Sequence, residues 1–151
     1  MEIVEFSPEH AKAFRTLNEA WIAKYFTLEA KDREVLEDPQ GKILKQGGRI
    51  FMAIEAGEPV GCAALLKMAD GGYEVAKMTV AETLRGSGLG RLLMQRCIDA
   101  GAEDGAPRLY LETNSTLAPA LGLYRAMGFA DVANPAPGGY ARGDTWMERL
   151  Y

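Results

Sequence analysis

The stretch LRGSGLGRLLMQ, residues 84–95, constrains the fold of this chain more than any other segment. It places three glycines and two arginines directly before an apolar run with helical spacing. The first N–H groups of a helix have no intrahelical partner, and glycine lets the preceding chain curl so that several of them point at one place. With the helix dipole and the two arginine charges, this predicts a loop that binds a phosphate or a pyrophosphate. The predicted phosphate-binding residues are Arg85, Gly86, Ser87, Gly88, Leu89, Gly90 and Arg91.

Three other interpretations compete for this glycine motif. The simplest is an ordinary glycine-rich turn, which would not need the flanking arginines. The P-loop is set aside because Arg91 and Leu92 follow Gly90, where that motif needs a lysine and a hydroxyl residue for magnesium. The dinucleotide-binding fingerprint fits at two glycines and at Glu112, about twenty residues further on, but Arg91 replaces its third glycine. A small anionic cofactor is therefore the expected ligand.

Composition indicates an ordinary globular protein. The chain has 151 residues, of which 48% are hydrophobic and 25% charged, and this predicts one domain over residues 1–151. Cys62 and Cys97 lack the spacing of a metal site and lie in apolar patterns, which predicts buried thiols without chemistry. The single histidine, His10, is predicted at the surface and argues against a histidine metal site or a Ser-His-Asp triad.

Charge and hydropathy predict a cytoplasmic protein that binds neither nucleic acid nor membrane. The net charge is −4, and no basic stripe interleaved with aromatic residues is present. The longest apolar stretch is too short to cross a bilayer, and the start MEIVEF lacks the pattern of a signal peptide. Exposed strands at the edge of a sheet often pair with a second chain, which favours a homodimer.

Hydrophobic periodicity and turn residues predict an α+β fold around a mostly antiparallel sheet. Helices are expected at 8–26, 28–37, 89–100 and 119–127, and strands at 2–6, 49–56, 60–68, 73–80, 108–113, 129–132 and 144–150. Residues 40–48 are expected to form a loop after a helix that Pro39 closes. The glycine loop and its helix join strands 73–80 and 108–113, so these two strands are expected to run parallel.

Residues 85–90 fit the pattern Arg/Gln-x-x-Gly-x-Gly/Ala at every fixed position; YEVAKMTV precedes them, and LYLETN and ALGLYRAMGF follow. These four segments, in this order, resemble the GNAT superfamily of N-acetyltransferases. The resemblance implies a twisted sheet of about six to seven strands flanked by about four helices, with a splayed parallel pair of strands. It also implies acetyl-CoA as the cofactor, with its pyrophosphate on the glycine loop and its pantetheine arm between the splayed strands. Backbone groups of Met78, Thr79 and Val80 would contact that arm.

One position departs from the family pattern. Many relatives carry an asparagine seven residues before the catalytic tyrosine, where this chain has Leu117. Asn114 and Ser115 are the candidates to replace it at the cofactor. Arg125 could reach a cofactor phosphate, but an exposed helical arginine more often faces water.

Acetyl transfer to an amine requires a base and an acid. An alkylammonium with a pKa near 10.4 is neutral in only about one molecule in a few thousand at pH 7, so a group must accept its proton. Strand alternation places Glu74 on a face with Ala76, Met78 and Val80, where desolvation would raise its pKa, and we expect it to act as the base, directly or through water. Glu112 is the competing carboxylate.

Tyr124 is the expected acid, because the family places a tyrosine before the same Gly-Phe pair. If Gly128 ends the helix in a left-handed conformation, Phe129 should pack on Tyr124 and fix its ring. A core tyrosine without a catalytic role is the alternative.

The expected acceptor is a small primary amine that bears a carboxylate; a protein N-terminus is the alternative. Trp21, Tyr25 and Phe26 form an aromatic group that could line the acceptor site, or simply pack in the core. Arg142, after the flexible loop NPAPGGYA, would pair with the carboxylate, and Glu112 would also contact the substrate. A protein that binds acyl-CoA without catalysis, as a sensor, would carry the same loop.

Overall fold

A seven-stranded sheet in the order β1-β2-β3-β4-β5-β7-β6 forms the centre of the computed structural model, which describes residues 1–135 and 140–151. The strands are β1 (Glu2–Glu5), β2 (Arg49–Glu55), β3 (Glu58–Lys67), β4 (Tyr73–Val80), β5 (Arg108–Thr113), β6 (Ala130–Val132) and β7 (Thr145–Leu150). Neighbouring strands are antiparallel except β4 and β5. The predicted fold class, with its one parallel pair, is therefore confirmed.

Helices cover both faces of this sheet. Within the described residues they are α1 (Ala11–Tyr25), α2 (Ala30–Glu37), α3 (Pro39–Lys42), α4 (Leu89–Glu103) and α5 (Ala118–Ala126). Apolar side chains of α1 and α2, such as Phe14, Ile22 and Leu36, pack on one face. Those of α4, such as Leu93 and Met94, pack on the other face together with β5 and β7. In the described part of the chain, none of these helices is long and apolar enough to span a membrane.

The sequence predictions differ from the structure at the two N-terminal helices. The predicted helix 8–26 begins with a 3-10 turn at Pro8–His10 before α1. The predicted helix 28–37 begins two residues later, as α2, and ends at Glu37 before Pro39 as expected. Pro39 also opens α3, because a proline at the first helical position lacks only an N–H that would be unpaired anyway. The predicted loop 40–48 accordingly contains the end of α3 and a 3-10 turn at Leu44–Gln46. Residues 136–139 of the predicted NPAPGGYA loop lie outside the described residues.

The predictions for the histidine and the cysteines have different outcomes. His10 is not a plain surface residue: its Nδ1 accepts the N–H of Ser7 at 3.0 Å, and its ring packs edge-on against Phe6. Cys62 and Cys97 are fully buried free thiols, as predicted.

The parallel strands β4 and β5 pair over three residues only and then diverge. Their register joins Tyr73 to Leu109, Glu74 to Tyr110 and Val75 to Leu111. β5 goes on to pair with β7 as far as Thr113, whereas the rest of β4 pairs only with β3. A gap therefore opens between two central strands of the sheet.

A β-bulge in β4 changes the direction of its side chains at this gap. The pairing with β3 shifts between Cys62 and Ala64, and Lys77 adopts a left-handed backbone conformation with φ +53°. Before the bulge, Tyr73 and Val75 pack on the α4 side; after it, Met78 and Val80 pack there instead. The predicted face shared by Glu74, Met78 and Val80 is therefore wrong, because the bulge inserts one residue between them.

Candidate active site

A cavity of about 600 Å³ lies at the gap between β4 and β5. The end of α1, the glycine loop, α5 and residues 140–143 complete its wall. The predicted site residues that line it are Tyr25, Phe26, Glu74, Met78, Thr79, Val80, Arg85, Gly86, Gly90, Glu112, Asn114, Tyr124 and Arg142. Within the described residues, Ser87, Gly88, Leu89 and Arg91 belong to the loop and the helix start but not to the cavity wall. The structure thus brings most of the predicted site into one space.

The glycine loop has the conformation that the sequence predicts. Gly86 and Gly88 are left-handed, with φ +82° and +90°, and Gly88 is the N-cap residue of α4. Leu92 donates the first backbone hydrogen bond of this helix, to the carbonyl of Gly88. The N–H groups of Gly88, Leu89 and Gly90 find no backbone partner within the described residues. They are therefore available to an anion at the N-terminus of a helix of 15 residues.

Arg85 links this loop to the end of α1. Its Nη1 donates to the hydroxyl of Tyr25 at 3.2 Å, and the guanidinium lies 5.6 Å from the centre of the same ring. Tyr25 in turn packs against Trp21, whose ring also contacts Phe26. The three aromatic side chains that were predicted to cluster do so, at the cavity wall.

The diverging part of β4 leaves main-chain groups without a strand partner. In this part of β4, Ala76, Thr79 and Val80 pair with β3, and none of residues 76–80 pairs with β5 in the described structure, so their other edge faces the cavity. Thr79 is buried there, and its Oγ1 has no hydrogen-bond partner in the described structure. An extended ligand with amide groups could pair with this edge in the manner of an added strand.

Tyr124 is fixed by the end of α5. Gly128 has φ +99°, and the N–H of Phe129 donates to the carbonyl of Tyr124 at 3.0 Å, which is the Schellman arrangement. The ring of Phe129 then meets that of Tyr124 edge-on, with centres 6.2 Å apart, as predicted. Among the described residues the hydroxyl of Tyr124 has no hydrogen-bond partner, and burial raises its pKa to about 12. The group is thus a neutral proton donor beside the cavity.

Glu74 is a largely buried carboxyl group in the cavity wall. Burial, with a smaller contribution from the nearby charge of Glu112, raises its pKa to about 7. Lys31 and Lys77 oppose this shift without cancelling it. No hydrogen bond to its side chain is found in the described part of the chain. A carboxylate with a pKa close to neutrality can both accept and release a proton under ordinary conditions.

Glu112 lies on the same face of the sheet as Glu74. It stands two residues beyond Tyr110, the partner of Glu74 in the parallel register, so its side chain leaves β5 in the same direction. Its Oε1 accepts the N–H of Tyr140 at 3.3 Å. Burial raises its pKa as well. The two carboxylates therefore form one acidic end of the cavity.

A buried ion network, formed by Asp32, Lys77, Arg142 and Glu29, borders this acidic end. Asp32 has no exposed surface; its Oδ1 accepts from Lys77 Nζ at 2.8 Å, and both its oxygens accept from Arg142, at 2.7 and 2.9 Å. Burial alone would raise the pKa of Asp32, but these hydrogen bonds outweigh it and lower the pKa to about 2. Glu29 also accepts from Arg142. The network joins α2, the β4 bulge and residues 140–143.

This network corrects the role expected of Arg142. Both outer nitrogens of its guanidinium already donate to the Asp32 carboxylate, and the cation lies 4.1 Å from the centre of the Tyr140 ring. A carboxylate on a substrate would have to displace a buried ion pair to reach it. The structure therefore gives Arg142 an internal partner in place of the expected substrate carboxylate.

The residues considered as replacements for the family asparagine have local partners. Asn114 donates to the carbonyl of Arg142 at 2.7 Å and accepts from the N–H and the hydroxyl of Thr116. Ser115 bonds to Asp144. Asn114 borders the cavity and so stays near any cofactor there, whereas Arg125 forms an exposed ion pair with Asp131.

Sequence reasoning missed four residues that shape the cavity: Asn18, Asp32, Lys77 and Tyr140. Asp32 lies in the polar segment AKDREVLE, which is typical of an exposed helix, and its burial depends on partners 45 and 110 residues away. Lys77 stands in a strand pattern that gives no sign of a bulge. Only Asn18, a polar residue on the apolar face of an amphipathic helix, offered a signal that could have been used.

Sequence comparison finds one matching protein family and curated relatives of this chain. The sequence profile of the Acetyltransferase (GNAT) family matches residues 12–129. "IAA acetyltransferase" of Azospirillum brasilense is 42% identical over 84 residues, which cover 55% of each chain. "Streptothricin acetyltransferase" of Streptomyces lavendulae is 40% identical over 84 residues, which cover 54% of this chain and 44% of the relative. The chain spans about half the length of these curated relatives.

Solved structures share the fold over nearly the whole chain. A GNAT-family acetyltransferase from Staphylococcus aureus superposes with a TM-score of 0.89 at 18% identity, covering 99% of this chain and 98% of the other. YncA from Salmonella typhimurium, solved with its cofactor acetyl-CoA, superposes with a TM-score of 0.79 at 23% identity, covering 99% and 93%. At such identities the likeness concerns the fold.

Proposed function

Because this chain belongs to the acetyltransferase (GNAT) family, we propose that it transfers an acetyl group from acetyl-CoA to the primary amine of a small molecule. The observation that carries the proposal is the meeting of three features in one cavity. These are an anion-binding helix N-terminus, an unpaired strand edge, and a carboxyl group with its pKa near 7. A relative that matches this chain is named for streptothricin, a small molecule.

The residues present fit acetyl-CoA. The free N–H groups at the start of α4, with Arg85 and Arg91, would hold the pyrophosphate. The edge formed by Met78, Thr79 and Val80 would pair with the amides of the pantetheine arm, since it has no strand partner on that side. A cavity of about 600 Å³ has room for this arm and for a small acceptor. Acetyl-CoA, when bound, supplies the acetyl group as an activated thioester.

Glu74 accepts the proton of the acceptor ammonium in this proposal. Its pKa of about 7 leaves a large fraction ionised at neutral pH, and the ionised form is the stronger proton acceptor because burial destabilises the charge. Glu112, on the same face, disfavours the charge on Glu74 further. The amine is thereby made neutral in place, where only about one in a few thousand would be neutral in water at pH 7.

Tyr124 donates the proton that the leaving thiolate needs. Its hydroxyl is neutral, since burial raises its pKa to about 12, and it has no other partner among the described residues. The Phe129 contact and the Schellman turn hold the ring so that little conformational entropy is lost when the donor is used.

The experiment is a pair of measurements on the unaltered protein. Acetyl-CoA should raise the melting temperature, and the shift should grow with its concentration. At a concentration of 100 times Kd, binding should add about 2.7 kcal/mol to the free energy of unfolding. Release of free thiol from acetyl-CoA should then depend on an added amine, tested as a panel.

Two results would change the conclusion. Binding of acetyl-CoA without acetylation of any amine would favour an acyl-CoA sensor. Stabilisation by NAD with none by CoA would favour a dinucleotide site.

A further inference from the structure

The acidic end of the cavity has carboxylates without cationic partners. Within the described residues, Glu74 makes no side-chain hydrogen bond and Glu112 accepts only a backbone N–H, at 3.3 Å. Both carboxyl groups are partly buried. Burial raises the pKa of each, and the charge of Glu112 raises the pKa of Glu74 further. A bound cation would relieve both effects.

Two cationic side chains near the acidic end already pair with another carboxylate. Lys77 and Arg142 both pair with Asp32, which is fully buried, and Arg142 also reaches Glu29. Lys31 attracts both free carboxylates, but its side chain is exposed and lies over the Tyr140 ring, with Nζ 4.7 Å from the centre. A flexible, exposed lysine is readily displaced, because surface ion pairs contribute about 0–1 kcal/mol.

The strand register gives the offset between Glu74 and Glu112 along the sheet. Glu112 lies two residues along β5 from the partner of Glu74, so the two side chains originate about 7 Å apart along the strand direction. Trp21, Tyr25 and Phe26 supply an apolar part of the cavity wall. An aliphatic chain with an ammonium group at each end matches both the charges and the wall.

We propose that the acceptor is a diamine: Glu74 lies at the amine that is acetylated, and Glu112 holds the second ammonium group. The inference rests on the proposed acetyl transfer and deepens it by naming the substrate class. A chain of about four or five carbons between the nitrogens fits the strand spacing. The products are the monoacetylated diamine and the free thiol of CoA. One proton of the ammonium group goes to Glu74, the thiolate takes the proton of Tyr124, and the second nitrogen proton, lost as the amide forms, returns to Tyr124.

The test compares three compounds of equal carbon length on the unaltered protein: butane-1,4-diamine, butylamine and 4-aminobutanoate. Thiol release should give a kcat/KM for the diamine at least tenfold above that for butylamine, and the amino acid should be poorest because its carboxylate meets Glu112. A preference for 4-aminobutanoate, or equal rates for the diamine and butylamine, would overturn the inference and leave acetyl transfer standing.

Variants then assign the preference to one residue. Glu112→Gln should lower the ratio of kcat/KM for the diamine to kcat/KM for butylamine about tenfold, so that the two amines become nearly equal substrates. Glu58→Gln, an exposed carboxylate on β3 away from the cavity, should leave this ratio unchanged. A diamine preference that survives Glu112→Gln in folded protein contradicts the role of Glu112.

Calorimetry separates failure of the inference from failure of the proposed function. The three compounds are titrated into the protein with CoA present, so that binding is measured without turnover. If no amine is acetylated, tighter binding of butane-1,4-diamine than of butylamine still supports the diamine site, and equal binding overturns it.

Discussion

Glu74 is the residue from which we predict how activity depends on pH. Its pKa of about 7 means that the basic form is lost as the pH falls through neutrality. We therefore expect kcat/KM to rise with pH up to about 7 and to level off above it, at a fixed amine whose own ionisation is corrected for. Glu74→Gln should lower kcat by about 10²–10⁴-fold and abolish this limb of the profile. An unchanged acidic limb in that variant would assign the base elsewhere, with Glu112 the first candidate.

The same residue should affect stability in the opposite direction. Folding raises the pKa of Glu74 from 4.5 to about 7, so the folded state binds more protons between these values and stability falls as the pH rises through that window. Above pH 7, Glu74→Gln should therefore increase the free energy of unfolding by about 1–3 kcal/mol. Urea unfolding at pH 5 and pH 8 measures this, and the gain should be smaller at pH 5.

Tyr124→Phe tests the proton donor. The change removes one hydroxyl and keeps the ring contact with Phe129, so acetyl-CoA binding and folding should be retained. We expect kcat to fall by about 10²-fold or more. Tyr110→Phe is the matched control, since its hydroxyl bonds to Asp70 outside the cavity. Equal losses in the two variants would indicate that the Tyr124 hydroxyl has only a structural part.

Single residues differ in how far the sequence could predict them. The packing of Tyr124 on Phe129 was predictable because Gly128 and Phe129 act through local turn chemistry, within a few positions along the chain. The buried state of Asp32 was not, because it depends on Lys77 and Arg142, which only the folded chain brings near. Local rules therefore predicted the position of Tyr124 but not the ion network beside Glu74.

At the scale of elements, the glycine loop offers a matched pair of variants. Gly88→Ala and Gly57→Ala both place an L side chain in open space at a left-handed position, with φ +90° and +80°. Each should lose about 1–2 kcal/mol of stability for this backbone strain. Only Gly88→Ala should also raise the Kd for acetyl-CoA, by about tenfold, because the strained loop no longer aims its N–H groups at the pyrophosphate. Calorimetric titration of both variants decides between these outcomes.

The bounds of β4 and β5 were predictable from the sequence, but the bulge within β4 was not. β4 and β5 have the expected bounds, because their apolar residues and flanking turns are local signals. The bulge at Lys77 was not visible, since it arises from pairing with β3 across the sheet. It moved Met78 and Val80 to the face opposite Glu74, so the alternation rule failed at the position where the site lies.

On the scale of the whole molecule, Asp32 holds three distant segments together. Asp32→Asn leaves the buried Lys77 and the half-buried Arg142 without their carboxylate, and we expect a loss of about 3–5 kcal/mol in the free energy of unfolding. Glu29→Gln is the control: it weakens one contact of Arg142 but keeps Asp32, and should cost about 1 kcal/mol or less. Comparable losses from the two changes in urea unfolding would argue against a central part for Asp32.

The short pairing between β4 and β5 divides the sheet into two parts. Strands β1 to β4 form one part and β5 to β7 the other, and three residue pairs join them within the sheet. Among the described residues these three pairs are the only backbone link across the gap, and the side chains of α4, which pack in one core with residues of both β4 and β5, supply the remaining support. The width of the gap therefore depends on side-chain packing on one face of the sheet more than on strand pairing.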